Sequence, residues 1–161
     1  MATPPSFRAE QLTFADCRVL SFQLGRPGVP LPATEDVAGF SFTFTTQQGV
    51  DFTSAVIRVE LHAVIEARLR EENQPLVPVG EIRTETYFQL SGIEALAIQQ
   101  PDGSQALPEI VGATALGLAF STSRGLLLSL SADSLLRQAY LPVINPLQLL
   151  RSGQPTPPAA Q

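Results

Sequence analysis

The stretch VIRVELHAVIEARL, Val56–Leu69, constrains this chain more than any other. Ile57, Val59, Leu61, Ala63, Ile65 and Leu69 fall on one side of it, and Arg58, Glu60, His62, Glu66 and Arg68 on the other. Successive side chains of a strand point to opposite faces of a sheet, so this pattern requires a strand with one dry face and one wet face. Strands that are wet on one side belong to antiparallel sheets.

Three further strands share the pattern. AGFSFTFTT sets Phe40, Phe42 and Phe44 against Ser41, Thr43 and Thr45. Val77–Leu90 carries Ile82, Phe88 and Leu90 on its core face, after a REENQP turn whose Asn and Pro suit it. Glu10–Leu24 puts Leu12, Phe14, Leu20, Phe22 and Leu24 on one face. Asp16 and Arg18 fall on that same face, which predicts a bulge or twist between them and the apolar flanks. Together the four strands read as an antiparallel meander. The fourth ends abruptly: YFQL is followed by Ser91-Gly92, and Ile93-Glu94 begins something else.

The second half changes period. Pro108-Glu109 suits a helix start, where proline loses nothing and an acid meets the positive end of the dipole. The helix that follows is apolar nearly all round, through Leu116, Leu118, Phe120, Leu126, Leu127 and Leu130, so it must be covered on several sides. Small residues at Ala113, Gly117, Ser121 and Gly125 form a smooth stripe, beside Phe120, on which another backbone could pack closely. No second long helix is available, and a sister subunit is the expected cover. The stretch Ile110–Leu130 has the length of a membrane span, but Arg124 inside it would cost about 2.5–3.5 kcal/mol. A buried helix, not membrane insertion, is expected. Asn145-Pro146 then reads as the cap and first residue of a short C-terminal helix.

Composition narrows the function. All ten basic residues are arginine and the net charge is −5, without the clustered cations that nucleic acid requires. A lone Cys17 allows no internal disulfide and fits a reducing compartment, and MATPPSFRAE lacks the apolar core of a signal peptide, so a cytoplasmic location is expected. His62 is the one histidine and sits on a wet strand face; with Cys17 it cannot furnish a metal site or a nucleophilic set. GATALG lacks the lysine of a phosphate loop. No cofactor, metal or enzymatic activity is expected. Glu66, Glu71 and Glu72 form an acidic patch suited to solubility. Residues 1–9 read as a flexible arm, 10–150 as one domain, and the Pro-rich 151–161 as a disordered tail.

In that order the parts resemble the SecB chaperone family, over roughly Glu10 to Leu150. YFQLSGIEA resembles the family's strand-four ending, LPVINP the segment ahead of its final helix, and LSFQL a Ser-Phe-Glu in its first strand. The resemblance implies an α+β SecB-like fold: a four-stranded antiparallel sheet, a crossover in which Gly92 permits the turn and Ile93 pins it, one long helix and a short C-terminal helix. It also implies a tetramer built as a dimer of dimers, and an ATP-independent holdase whose hydrophobic grooves bind unfolded polypeptide. Carried over by motif, the groove residues are Phe88, Leu90, Ile93, Leu141, Val143, Ile144 and Leu147, to which the sheet pattern adds Phe42 and Phe44.

Family members serve either protein export or toxin–antitoxin systems, so an exported preprotein or an antitoxin is the implied client. The acidic positions that dock the SecA motor fall on Val19 and Gln23, neither acidic, and only Glu81 is kept, which weakens the expectation of SecA docking. An alternative is an assembly module that uses the same fold to hold one folded partner.

Overall fold

The computed structural model describes residues 6–71 and 73–152. The outer parts of the expected arm and tail, and Glu72 of the acidic patch, lie outside them. Four long strands form one antiparallel sheet: β1 (Leu12–Leu24), β2 (Val37–Asp51), β3 (Val56–Leu69) and β4 (Val77–Leu90). A single helical turn α1 (Ile93–Leu96), a two-stranded ribbon of β5 (Ile98–Gln99) and β6 (Gln105–Ala106), the long α2 (Glu109–Leu130) and the short α3 (Pro146–Ser152) follow. This is the SecB-like order of elements expected from the sequence.

Only part of the sheet is a meander. β2, β3 and β4 follow one another, but β1 lies beside β4, giving the order β1-β4-β3-β2. The first strand therefore sits at one edge and β2 at the other, joined by residues 25–36, in a Greek-key arrangement. A hydrophobic pattern cannot distinguish the two topologies, because each strand has the same dry face in both.

The bulge expected in β1 is present twice. Pairing with β4 slips between Phe14 and Asp16 and again between Val19 and Ser21. Each extra residue reverses the alternation, so Asp16 and Arg18 turn to the wet face and the apolar flanks keep the dry one. Cys17 Sγ lies 3.5 Å from Thr86 Oγ1 on the dry side, and its neighbour Val19, paired with Thr84, shares that side.

α2 runs over β3 and β4. Their apolar rows meet it in two adjoining clusters. One joins Leu61, Ala63, Ile65, Val79 and Ile82 to Phe120, Leu127, Leu136 and Leu141. The other joins Ile57, Val59, Phe88 and Leu90 to Ile93, Leu96, Val111, Leu116 and Ala119. A polar pin crosses the same interface: Ser123 Oγ donates to the Ala119 carbonyl at 2.8 Å, so at 2.7 Å it accepts from the Thr84 hydroxyl. α2 is the one described helix long and apolar enough to cross a membrane, and it lies across the sheet of its own chain.

The break after YFQL is the crossover. Gly92 holds φ +72°, a left-handed conformation that glycine adopts without steric cost, and Ile93 is buried just beyond it. At the other end of β4, Gly80 packs so closely that a Cβ would lie 2.9 Å from the Gln23 carbonyl. Within the expected N-terminal arm, Phe7 is half-buried against the second cluster.

Candidate binding surface

The nine apolar residues expected to line a groove divide into two groups. Phe88, Leu90, Ile93 and Leu141 are buried in the chain's own core. This corrects their assignment: the crossover folds Ile93 back under α2, and the bulged β1 sets Phe14 edge-on to Phe88 at 6.1 Å. Phe42, Phe44, Ile144 and Leu147 are half-buried, and Val143 is 90% exposed. Phe42, Phe44 and Ile144 pack against one core cluster, and Val143 and Leu147 flank Ile144 in the chain, ahead of and within α3.

Local sequence sets where α3 begins. Asn145 Oδ1 accepts from the backbone N–H groups of Leu147 and Gln148 at 3.1 and 3.3 Å, and Pro146 opens the helix, as the sequence predicts. The helix runs alongside α2, with Pro146 against Gly117 and Leu150 against Gly112. The aromatic row of β2 packs against the same core cluster as Ile144 and Leu149. Phe42 and Phe44 stack with ring centroids 6.2 Å apart, and Phe44 meets Phe120 edge-on at 5.2 Å.

None of the seven residues of α3 is buried, although four of them are Pro or Leu. An open cleft of about 420 Å³ lies on one side, lined by Val50, Ile57, Leu107, Pro108 and Leu150 among others. A second of about 320 Å³ lies on the other, lined by Val143, Ile144, Gln148 and Leu149. Such concave, mainly apolar surface with a few polar groups suits apolar side chains of a bound chain. The sequence reading missed Phe40, Leu149 and Leu150 here. The signal was the run PLQLL, which places leucines on either side of a short amphipathic turn.

The residues expected to meet a sister subunit also divide. Ala113 and Phe120 are buried within the chain, and Gly117 is covered by Pro146, so these three are not a free face. The C-terminal helix, though short, does cover this part of the stripe. Ser121 and Gly125 remain exposed, with Ile110 and Leu118 nearby on the outward side of α2. More open apolar surface lies on β1, whose dry face extends beyond α2: Phe14 is 53% exposed, and Val19 and Leu24 are exposed with it.

The wet face of the sheet carries a charge lattice instead. Arg58 donates to Glu85 at 2.7 Å, Arg83 Nε to Glu60 at 2.6 Å, and Arg18 to Asp16 at 3.0 Å, while the Arg18 guanidinium sits over the Tyr87 ring. A hydrogen bond from Tyr87, then Arg58, holds the Glu85 carboxyl below the usual carboxylate range. Glu81 lies here beside Gln23 and 3.3 Å from His62. Val19, one of the positions compared with motor-docking acids, faces the helix side instead, because the first bulge turns it over. Among the described residues no three His, Cys, Asp or Glu side chains gather as a metal site.

No family model matches the chain, and no curated protein does. Among solved structures, a Mycobacterium tuberculosis SecB-like chaperone in complex with a ChAD peptide from the HigA1 antitoxin is similar. The two share 17% identity with a TM-score of 0.49, over 84% of this chain and 93% of that one.

Proposed function

We propose that this protein is an ATP-independent holdase. It keeps aggregation-prone polypeptide unfolded on the apolar surface around α3. The observation that carries the reading is the seating of α3. A leucine-rich helix with no buried residue lies between two open apolar clefts, and its Leu149 packs against the same core cluster as the half-buried phenylalanines of β2. Burial of non-native apolar side chains supplies about 25 cal/mol per Å² removed from water, a gain that tolerates sequence variation and needs no nucleotide. The YFQLSGIEA and LPVINP motifs support the same reading, since one forms the crossover and the other the approach to α3. The client is an antitoxin or an exported preprotein, met in the cytoplasm.

Sister copies cover the exposed side of β1 and the outward face of α2, and the working form is an oligomer, a tetramer by family resemblance. Large contiguous apolar surface on a monomer is uncommon unless it is an interface. The self-paired wet face leaves Glu81 in company with His62, a weak basis for a motor contact.

The test is suppression of aggregation. An unrelated protein diluted from denaturant should remain soluble at stoichiometric amounts of this protein, with no nucleotide added. Unchanged light scattering would contradict the proposal.

A further inference from the structure

The charged face of the sheet has a hollow at the end nearest the β2–β3 turn. Pairing sets four residues in a row across it: Gly49 of β2, Arg58 of β3, Tyr87 of β4 and Asp16 of β1. In the next row Asp51 stands opposite Val56. Gly49 and Val56 are short, Arg58 and Tyr87 are long, and an open hollow of about 380 Å³ lies among them, lined also by Val50, Asp51 and Ser54.

Nothing in the fold calls for a glycine here. Gly49 lies inside β2 without a left-handed φ, and an added Cβ would meet only Arg58 Nε, at 3.9 Å. A glycine within a strand gives up packing and chain entropy, and often marks close approach by a ligand or another chain. A side chain at this position would fill the hollow.

The walls limit what fits. Asp51 is engaged by its own turn: Oδ1 accepts from the Thr53 and Ser54 amides at 2.9 and 3.3 Å, and Oδ2 from the Ser54 hydroxyl at 2.6 Å. Glu85 accepts from Arg58 Nη1 at 2.7 Å, and Asp16 accepts from Arg18 at 3.0 Å. Arg18 in turn covers the Tyr87 ring, 5.4 Å from its centroid. Each carboxylate is thus engaged and Arg58 is neutralised by Glu85, which favours a neutral ligand over either ion. Among the described residues Arg58 Nε and Nη2 donate to nothing, and they stand beside one aromatic ring and two valines. That set suits a flat apolar group with one acceptor near it, because guanidinium and ring edges both attract a π face.

We infer that the hollow is a docking pocket for a neutral aromatic side chain of a second polypeptide, its ring set on Gly49 and Val56 beside Tyr87 and its main-chain carbonyl accepting from Arg58. The pocket opens on the face of the sheet away from α2, so it stands or falls separately from the holdase reading.

Chemical-shift titration of the full-length protein with N-acetylphenylalanine amide tests this. The backbone amides of Gly49, Arg58 and Tyr87 should move together and saturate, while those around Phe42 on the opposite face stay still. N-acetylleucine amide should bind about two- to five-fold more weakly. Gly49→Val should keep the parent Tm, since a β-branched residue suits a strand, and lose the shifts. Gly49→Ala, the milder variant, should weaken binding part-way, and Arg58→Gln should weaken it with the pocket still open. No saturable shift with the aromatic probe would overturn the pocket, as would undiminished binding in both Gly49 variants. Tighter binding of N-acetylphenylalanine, an anion, or of phenylalanine amide, a cation, would overturn the choice of a neutral ligand, and equal binding of the leucine probe the choice of an aromatic one.

Discussion

Replacing Phe88 and Phe42 separately by alanine distinguishes core from groove. Both were expected on the binding surface, yet Phe88 is fully buried, edge-on to Phe14 at 6.1 Å and enclosed by Ile57, Leu90 and Leu116. Phe42 is half-buried and stacked on Phe44 at 6.2 Å. Phe88→Ala should remove about 3–5 kcal/mol, the transfer term plus the cavity left by neighbours that cannot collapse. With a urea slope of about 2 kcal/mol per M, that lowers the unfolding midpoint by roughly 1.5–2.5 M. Phe42→Ala should cost only about 1–2 kcal/mol, because its ring is only partly buried and the site is open to solvent. Far-UV circular dichroism at one fixed protomer concentration measures both, since association would otherwise shift the midpoints. Binding of a permanently unfolded polypeptide, per folded molecule, should fall several-fold in Phe42→Ala and stay unchanged in Phe88→Ala. A Phe88→Ala midpoint shift below about 0.5 M together with lost binding would refute the placement of Phe88 in the core.

Three other perturbations probe the frame. Ser123→Ala leaves the Thr84 hydroxyl buried without its acceptor and should cost about 1–3 kcal/mol; adding Thr84→Val should recover part of that, and simple additivity in urea titrations would contradict the pin. Gly80→Ala puts a methyl 2.9 Å from the Gln23 carbonyl and 2.5 Å from Leu136 Cδ1, so it should lower Tm by about 3–10 °C; an unchanged Tm would mean that β1 and Leu136 can yield. Glu85 is held below the usual carboxylate range by Tyr87 and Arg58, so its contribution is present above the ordinary glutamate pKa and is lost as pH falls through the lowered value. Acid should therefore destabilise the parent protein more steeply than Glu85→Gln, and parallel Tm-against-pH curves would count against the lattice.

Much of the frame was legible because it is local. The dry and wet faces of β3, the cap at Asn145, the helix start at Pro108 and the glycine crossover each follow from a few adjacent residues. The conflict of Asp16 and Arg18 with their strand's face predicted irregular pairing, and two bulges resolve it. What was illegible depends on distant partners. The placement of β1 beside β4 is a choice among topologies that bury the same faces. Phe88 and Leu90 were assigned both to the core face and to the groove, and only the depth of cover from α1 and α2 decides between them. The stripe Ala113–Gly125 looked free along its length because the sequence offers no second long helix to cover it, whereas the short α3 covers its first half. Arg151 of α3 donates to Glu109 of α2, yet the two carry no joint signal at a separation of 42 positions.

Site-directed photo-crosslinking tests the claim on which the rest depends. A photoreactive residue placed at Val143 beside α3, or at Arg83 on the charged face as a control, would be irradiated in the presence of a permanently unfolded polypeptide. Abundant adducts from Val143 and none above background from Arg83 are the predicted result; equal labelling from both positions, or none from Val143, would contradict it.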